Sequence, residues 1–317
     1  MLKLVIDTDP GVDDAHALMT ALAHPDARVE AITTVAGNVS LERTTANACT
    51  VLDVMGVSDC AGVPLYAGCS RPLVSPPSDA GHVHGQDGLG DTHLSPSTRE
   101  VADGHAVNAL IRLANESPGE LTLLALGPLT NVALATRLDP DLPHKYRSLV
   151  VMGGAIYGRG NVTPATEFNI HTDPEAAAIV FEAWPGLTLL SWETTLAHPF
   201  DSRQVRELLD IESPRAEFFR RISCNTLAYL ERLLGERIML EPDLLAAAVA
   251  LEPDIVVRAE THHVAIELAG ARTRGQTVVD WSDLSGGSPN VNLVLELDTG
   301  RVWEMLRAAL AGGPSRP

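Results

Sequence analysis

The chain is short of the residues that would place it in several functional classes. It has four cysteines in 317 residues, at positions 49, 60, 69 and 224. They show neither metal-like nor redox-like spacing and are too few for a disulfide framework. They read as reduced, buried thiols in a cytoplasmic protein. Basic residues are outnumbered, 23 Lys and Arg against 41 Asp and Glu, for a formal charge of −18. That balance argues against nucleic acid or an anionic membrane as a partner, since both need a basic surface. No apolar run is long enough to span a bilayer. The first apolar run leads directly into Asp7, which leaves no room for the charged and apolar regions of a signal peptide. Aromatics make up only 4% of the chain, so each one near a candidate site is informative. No repeat, low-complexity tract or linker marks a boundary, and residues 1–317 read as one α/β domain.

What is present is acid, concentrated at one place. The N-terminus runs Asp7-Thr8-Asp9-Pro10-Gly11-Val12-Asp13-Asp14. Residues 2–6 before it read as a buried strand, Pro10-Gly11 as a turn, and 15–23 as a helix. Four carboxylates thus converge between the carboxyl end of a strand and the amino end of a helix. Open α/β sheets place their ligands there, and the helix dipole favours negative charge there. So dense a cluster repels itself unless a hard cation sits within it, and oxygen-only donors point to Ca²⁺ or Mg²⁺. A capped helix with solvated acids accounts for one or two of these residues, not four.

Farther along, apolar runs at 29–35, 121–126, 149–152 and 187–190 predict strands. Stretches at 41–55, 105–116, 129–138 and 174–183 predict helices, the last opening on a proline. The alternation implies a mostly parallel central sheet flanked by helices and joined by right-handed crossovers. A helical section at 214–234 and 242–251 follows. β-like runs at 263–268, 277–279 and 291–297 and a last helix at 301–311 close the chain. Residues 68–100 and 153–166 break the rhythm, and loops this long in a compact domain are usually functional or mobile. Ala36-Gly37-Asn38, Leu126-Gly127-Pro128 and Met152-Gly153-Gly154 each follow a strand. Glycine there permits close backbone approach, and together the three turns outline one crevice.

The pattern Asp-x-Asp-Pro-Gly-x-Asp-Asp-Ala at 7–15 resembles the signature of the nucleoside hydrolases, the inosine-uridine-preferring N-ribohydrolases. Gly160-Asn161-Val162-Thr163-Pro164-Ala165-Thr166-Glu167-Phe168-Asn169 resembles their second motif, and the run from Asp243 to Pro253 their distal metal-binding helix. The resemblance spans nearly the whole chain, with the motifs in order. It implies the nucleoside hydrolase fold with a Rossmann-like core, Ca²⁺ as cofactor, and a homodimer or homotetramer. The implied activity is cleavage of the N-glycosidic bond of a small ribonucleoside to ribose and free nucleobase. Residue by residue, it implies Ca²⁺ ligation by Asp9, Asp14, Asp243 and the Leu126 carbonyl, with Asp9 also the general base. It implies ribose contacts from Asn38, Met152, Asn161, Glu167 and Asn169, with Asp13 on the 2′-hydroxyl. Phe168 would pack on sugar or base.

One departure stands out. Inosine-uridine-preferring members carry a His immediately before the distal Asp, where it can protonate the leaving base, and a purine-preferring branch carries Trp. This chain has Pro242, which can do neither. His84, in a His-Gly-x-x-Gly-like loop, is the catalytic candidate for that duty, with Glu241, Tyr229 and Trp192 behind it. Trp192-Glu193 reads as the end of a strand, and Trp192 as core more than as a stacking platform. His82 and His84 lack the third His or thiolate nearby that zinc would need. Two other readings compete. An Asp-nucleophile Mg²⁺ phosphatase built on Asp7 and Asp9 needs a downstream lysine at a strand end, and the chain's only lysines, Lys3 and Lys145, do not fall there. A ribose or nucleoside binder that kept the metal site but lost turnover is the other.

Overall fold

A computed structural model describes residues 1–56 and 62–312, so Cys60 lies outside the described residues. Its frame is an eight-stranded sheet in the order β3-β2-β1-β4-β5-β6-β10-β7. The strands are β1 (Leu2–Thr8), β2 (Ala27–Thr34), β3 (Leu65–Ala67), β4 (Leu121–Ala125), β5 (Ser148–Met152), β6 (Leu187–Leu190), β7 (Val256–His262) and β10 (Val291–Leu297). Neighbours pair in parallel except β7, which runs antiparallel to β10 at the edge. A second, two-stranded antiparallel sheet joins β8 (Val264–Ile266) to β9 (Thr277–Val279). The order 3-2-1-4-5-6 is that of a Rossmann-like sheet, in which the chain's direction of winding reverses between β1 and β4. Loops leaving those two strands part at the reversal and open a crevice at their carboxyl ends.

Both faces of the sheet are covered, so its strands are apolar on alternate residues in both directions. Leu4 and Ile6 of β1 pack into one core with the helices Val12–Ala23, Leu41–Met55 and Pro242–Leu251. Val5 packs into the other core, with the helices Ala106–Glu116, Thr130–Leu138 and Pro174–Ala183. The helix Pro242–Leu251 is buried from Asp243 to Leu251. A helix apolar all round belongs inside a core, and that position carries the acid at its start inside as well.

The structure corrects several expectations. β7 went unseen because it is an edge strand with little apolar alternation, mostly exposed or half-buried. Trp192 and Glu193 do not end a strand. They open the helix Trp192–Ala197, whose start is capped by the Ser191 side chain. The long stretch 68–100 contains a helical turn, Gly81–His84. Cys49 and Cys69 are buried, but Cys224 is exposed, because its helix Pro214–Leu234 turns Ile222, Ser223 and Leu227 inward and Cys224 out. Among the described residues no helix is long and apolar enough to cross a membrane.

Candidate active site

The acid cluster is built by one turn. Asp14, the third residue of the helix Val12–Ala23, reaches back to accept the Gly11 N–H at 2.9 Å and so closes the helix start. It also accepts the Asp9 N–H at 3.2 Å, the Thr8 hydroxyl and the Asn38 side-chain amide at 3.0 Å. Asn38, just past β2, donates its main-chain N–H to Asp9 Oδ2 at 2.7 Å. Asp9 is held in a slot. A Cβ on Gly37 would stand 2.8 Å from Asp9 Cγ, and one on Gly127 would stand 2.9 Å from it. These two glycines, beyond the ends of β2 and β4, leave space for the carboxylate and for little else. Asp243 arrives from the far end of the chain, and oxygens of Asp13, Asp14 and Asp243 lie within 4.8 Å of one another.

Ionising this cluster is costly. Burial first, and then neighbouring acids, raise Asp9, Asp14 and Asp243 above the usual carboxylate range. Asp13 is raised to about 6, by burial and then by Glu241. Among the described residues, Asp9 Oδ1 and Asp13 Oδ1 are buried without a hydrogen-bond partner. Unpartnered, mutually repelling oxygens with no nitrogen or sulfur donor among them fit a hard divalent cation. Asp13, assigned to the sugar on resemblance, stands in the tightest triad, and Asp9 stands beside it. The Leu126 carbonyl accepts the Asn169 side-chain amide at 2.6 Å, which leaves one lone pair for another partner.

A cavity of about 530 Å³ lies against the cluster. Asp13, Asn38, His84, Leu126, Met152, Asn161, Glu167, Phe168, Asn169 and Asp243 all line it, with Asp9 and Asp14 behind that lining. Asn169 bonds the main-chain oxygens of both Leu126 and Met152, the latter at 3.2 Å. Glu167 caps the helix Phe168–Thr172. Its oxygens accept the N–H groups of Asn169 and Gly154 at 2.8 Å and of Ile170 at 3.2 Å. Burial raises its carboxyl to about 7. Asn161 is exposed at the rim, and Phe168 is half-buried in the wall.

His84 reaches the acids but not as a charged donor. Its Nδ1 accepts the Val12 N–H at 3.2 Å and lies 3.6 Å from Asp13 Oδ1. Burial lowers its pKa to about 4, which keeps the ring neutral with its proton on Nε2. Trp192, read from the sequence as core, is half-buried and lines the cavity, because the helix it opens starts at the crevice. Tyr229 lines it as well, edge-on to His82 with centroids 6.1 Å apart.

Sequence reasoning passed over His16. Its Nδ1 lies 3.0 Å from both carboxylate oxygens of Glu241, and its Nε2 lies 3.1 Å from Ser223 Oγ. All three residues border the cavity beside Pro242. The available signal was a lone His in an apolar helix, two residues after Asp14.

The model of the family described as "inosine-uridine preferring nucleoside hydrolase" matches residues 4–304. The chain belongs to this family. It is 38% identical over 314 residues to the inosine-uridine preferring nucleoside hydrolase of Leishmania major, covering 97% of each chain. Among solved structures it is similar to a plant nucleoside hydrolase, with TM-score 0.89 and 32% identity over 98% of this chain and 99% of that one. It is equally similar to an inosine-guanosine nucleoside hydrolase, with TM-score 0.89 and 34% identity over 97% and 98%. Nucleoside hydrolases are N-glycosyl hydrolases that release ribose and a free base, so the phosphatase reading falls away. Within this family the acid cluster is the expected place for a metal, and Pro242 is a departure that the fold tolerates as the first residue of a helix.

Proposed function

We propose that residues 1–317 act as one domain that hydrolyses the N-glycosidic bond of ribonucleosides with Ca²⁺ held by Asp9, Asp14, Asp243 and the Leu126 carbonyl. The observation that carries this reading is a buried all-oxygen acid cluster, with unpartnered Asp9 Oδ1 and Asp13 Oδ1, opening on a cavity edged by asparagines. When bound, the cation neutralises the cluster and acidifies water beside it.

The chain's own residues divide the remaining work. Asp13, Asn38, Asn161, Glu167 and Asn169 hold the sugar hydroxyls with paired donors and acceptors, Met152 packs on the sugar, and Phe168 packs on sugar or base. Glu167 shapes that wall through its hold on the main chain. Asp9 takes a proton from the attacking water as the water oxygen bonds to C1′. The C1′–N bond breaks, and its electron pair passes to the base nitrogen. The ring passes through an oxocarbenium-like state, as in O-glycoside hydrolysis, which the surrounding carboxylates stabilise. His84, neutral with its proton on Nε2, assists the departing base by hydrogen bonding. Glu241, paired with His16 beside Pro242, is the alternative for that duty. The reading carries with it a cytoplasmic setting and a homodimer or homotetramer, which sedimentation equilibrium would decide between.

The test is a reducing-sugar assay over purine and pyrimidine nucleosides, with and without chelator and with Ca²⁺ restored. Ribose release that stops with chelator and returns with Ca²⁺ supports the reading. Tight nucleoside binding with no ribose released would establish a binder instead.

A further inference from the structure

The loop 154–162, which edges the cavity, is organised by a buried acid that does not itself line it. Glu193, the second residue of the helix Trp192–Ala197, is 8% exposed. Among the described residues it has no basic partner, and main-chain donors take its oxygens. Oε2 accepts the Ile156 N–H at 2.8 Å, while Oε1 accepts the Tyr157 N–H at 2.8 Å and the Arg159 N–H at 3.1 Å. Three amides of one short segment thus converge on one carboxylate, an arrangement that fixes that segment's path.

The next residues along the same loop form the cavity edge. Gly160, Asn161 and Val162 line the cavity. Beyond Arg159 the chain closes tightly on itself. Gly160 donates its N–H to Pro164 O at 3.2 Å, and Asn161 and Val162 donate theirs to Thr166 O at 3.1 and 3.3 Å. These bonds hold the small hairpin together, and the Arg159 amide ties it to Glu193. At the loop's start, the Trp192 N–H donates to Gly154 O at 2.9 Å. On its outer side Tyr157 stacks on Trp281, with ring centroids 5.0 Å apart. Trp192, next to Glu193 in sequence, is itself a cavity wall. One helix start therefore supplies a wall and anchors the loop that carries Asn161.

We propose that Glu193 is a positioning residue for sugar recognition, holding the loop 154–162 so that Asn161 stands at the edge of the cavity. The proposal rests on the nucleoside hydrolase reading for its substrate but concerns binding rather than the chemical step. A glutamine at this position has a single acceptor oxygen. It can keep the pair of donors from Tyr157 and Arg159 but must turn its NH₂ toward the Ile156 N–H. An alanine keeps none of the three.

The experiment compares wild type, Glu193→Gln and Glu193→Ala in Ca²⁺-loaded protein. Readouts are kcat and KM for inosine and uridine, calorimetric binding of ribose, and thermal unfolding. Glu193→Ala should raise KM and the ribose dissociation constant at least tenfold while kcat stays within threefold, with Glu193→Gln intermediate. Unchanged KM and ribose affinity in a folded Glu193→Gln protein would overturn the proposal, whatever the change in melting temperature. A fall in kcat at constant KM would overturn it as well. Ribose binding is read without turnover. A wild type that binds ribose but hydrolyses nothing would therefore sink the proposed function while leaving this inference open to the same comparison.

Discussion

Gly127→Ala is the most exacting test of the site's geometry. The added methyl would stand 2.9 Å from Asp9 Cγ and 3.0 Å from Val35 Cγ1, where ordinary contact begins near 3.4 Å. Asp9 must therefore retreat by at least about 0.5 Å at Cγ, and more at Oδ1, which lies nearest the new methyl. It has nowhere to go. Gly37 closes the opposite side, where even a hydrogen-bearing Cα leaves only the slot Asp9 already fills, and the Asn38 N–H fixes Oδ2 at 2.7 Å. Misplacing a reacting group by 1 Å can cost about 10²-fold in rate, so kcat for ribose release should fall by about that factor. Overpacking of this kind typically destabilises by about 1–3 kcal/mol, which at this chain length lowers the melting temperature by several degrees without unfolding the protein at 25 °C. Metal affinity, read by calorimetry, should fall with the rate because Asp9 serves both. Gly62→Ala, at a glycine where, among the described residues, nothing lies within 4 Å of the added Cβ, is the control and should be silent. Full activity in Gly127→Ala would show that the Asp9 carboxylate is not where the reaction needs it.

Asp9→Asn should lower turnover by about 10²–10⁴-fold, the usual weight of a general base, in a protein that still folds by circular dichroism. An unmodified rate would reassign the base. Asn169→Ala should weaken substrate binding by about 1–3 kcal/mol and leave metal binding intact, a split that calorimetry with nucleoside and with Ca²⁺ would show. His84→Ala should depress ribose release at least about tenfold while sparing Ca²⁺ binding. If every nucleoside is turned over normally, the duty passes to Glu241. Metal-free protein should lose stability as pH rises from about 4 to about 7. Asp7 and Asp13, raised from 3.8 to about 6, and Glu167, raised from 4.5 to about 7, hold protons in the fold where the unfolded chain has released them. The contribution of these groups is therefore largest in acid and fades as pH climbs through the folded values. Saturating Ca²⁺ should flatten the part due to Asp13, which scanning calorimetry at several pH values would measure, and an unchanged slope with Ca²⁺ would place the cation elsewhere.

The first strand, turn and helix were legible in the sequence because they are local. Apolar runs of strand length, a Pro-Gly turn and a helix opening on acids need no distant partner to specify them, and the alternation that follows fixes a parallel sheet by the same local rules. The joining of Asp243 to Asp13 and Asp14 was legible only through resemblance, since nothing in an Asp at a helix start says which carboxylates it will meet. Contacts between residues far apart were out of reach. His16 and Glu241 lie 225 positions apart, and their pairing exists only because the apolar helix Pro242–Leu251 is buried against the helix that carries His16. Glu193 read as an ordinary acid near the end of a strand, and Cys224 as one more buried thiol. Helix phase, which depends on what the helix packs against, decided both. β7 escaped notice because an edge strand borrows its regularity from its neighbour's hydrogen bonds rather than from its own apolar pattern. The sequence by itself determined most of the parallel-sheet elements and the chemistry of the first turn. The tertiary structure decided which side chains face each other, because that depends on how separately formed elements fill one close-packed interior.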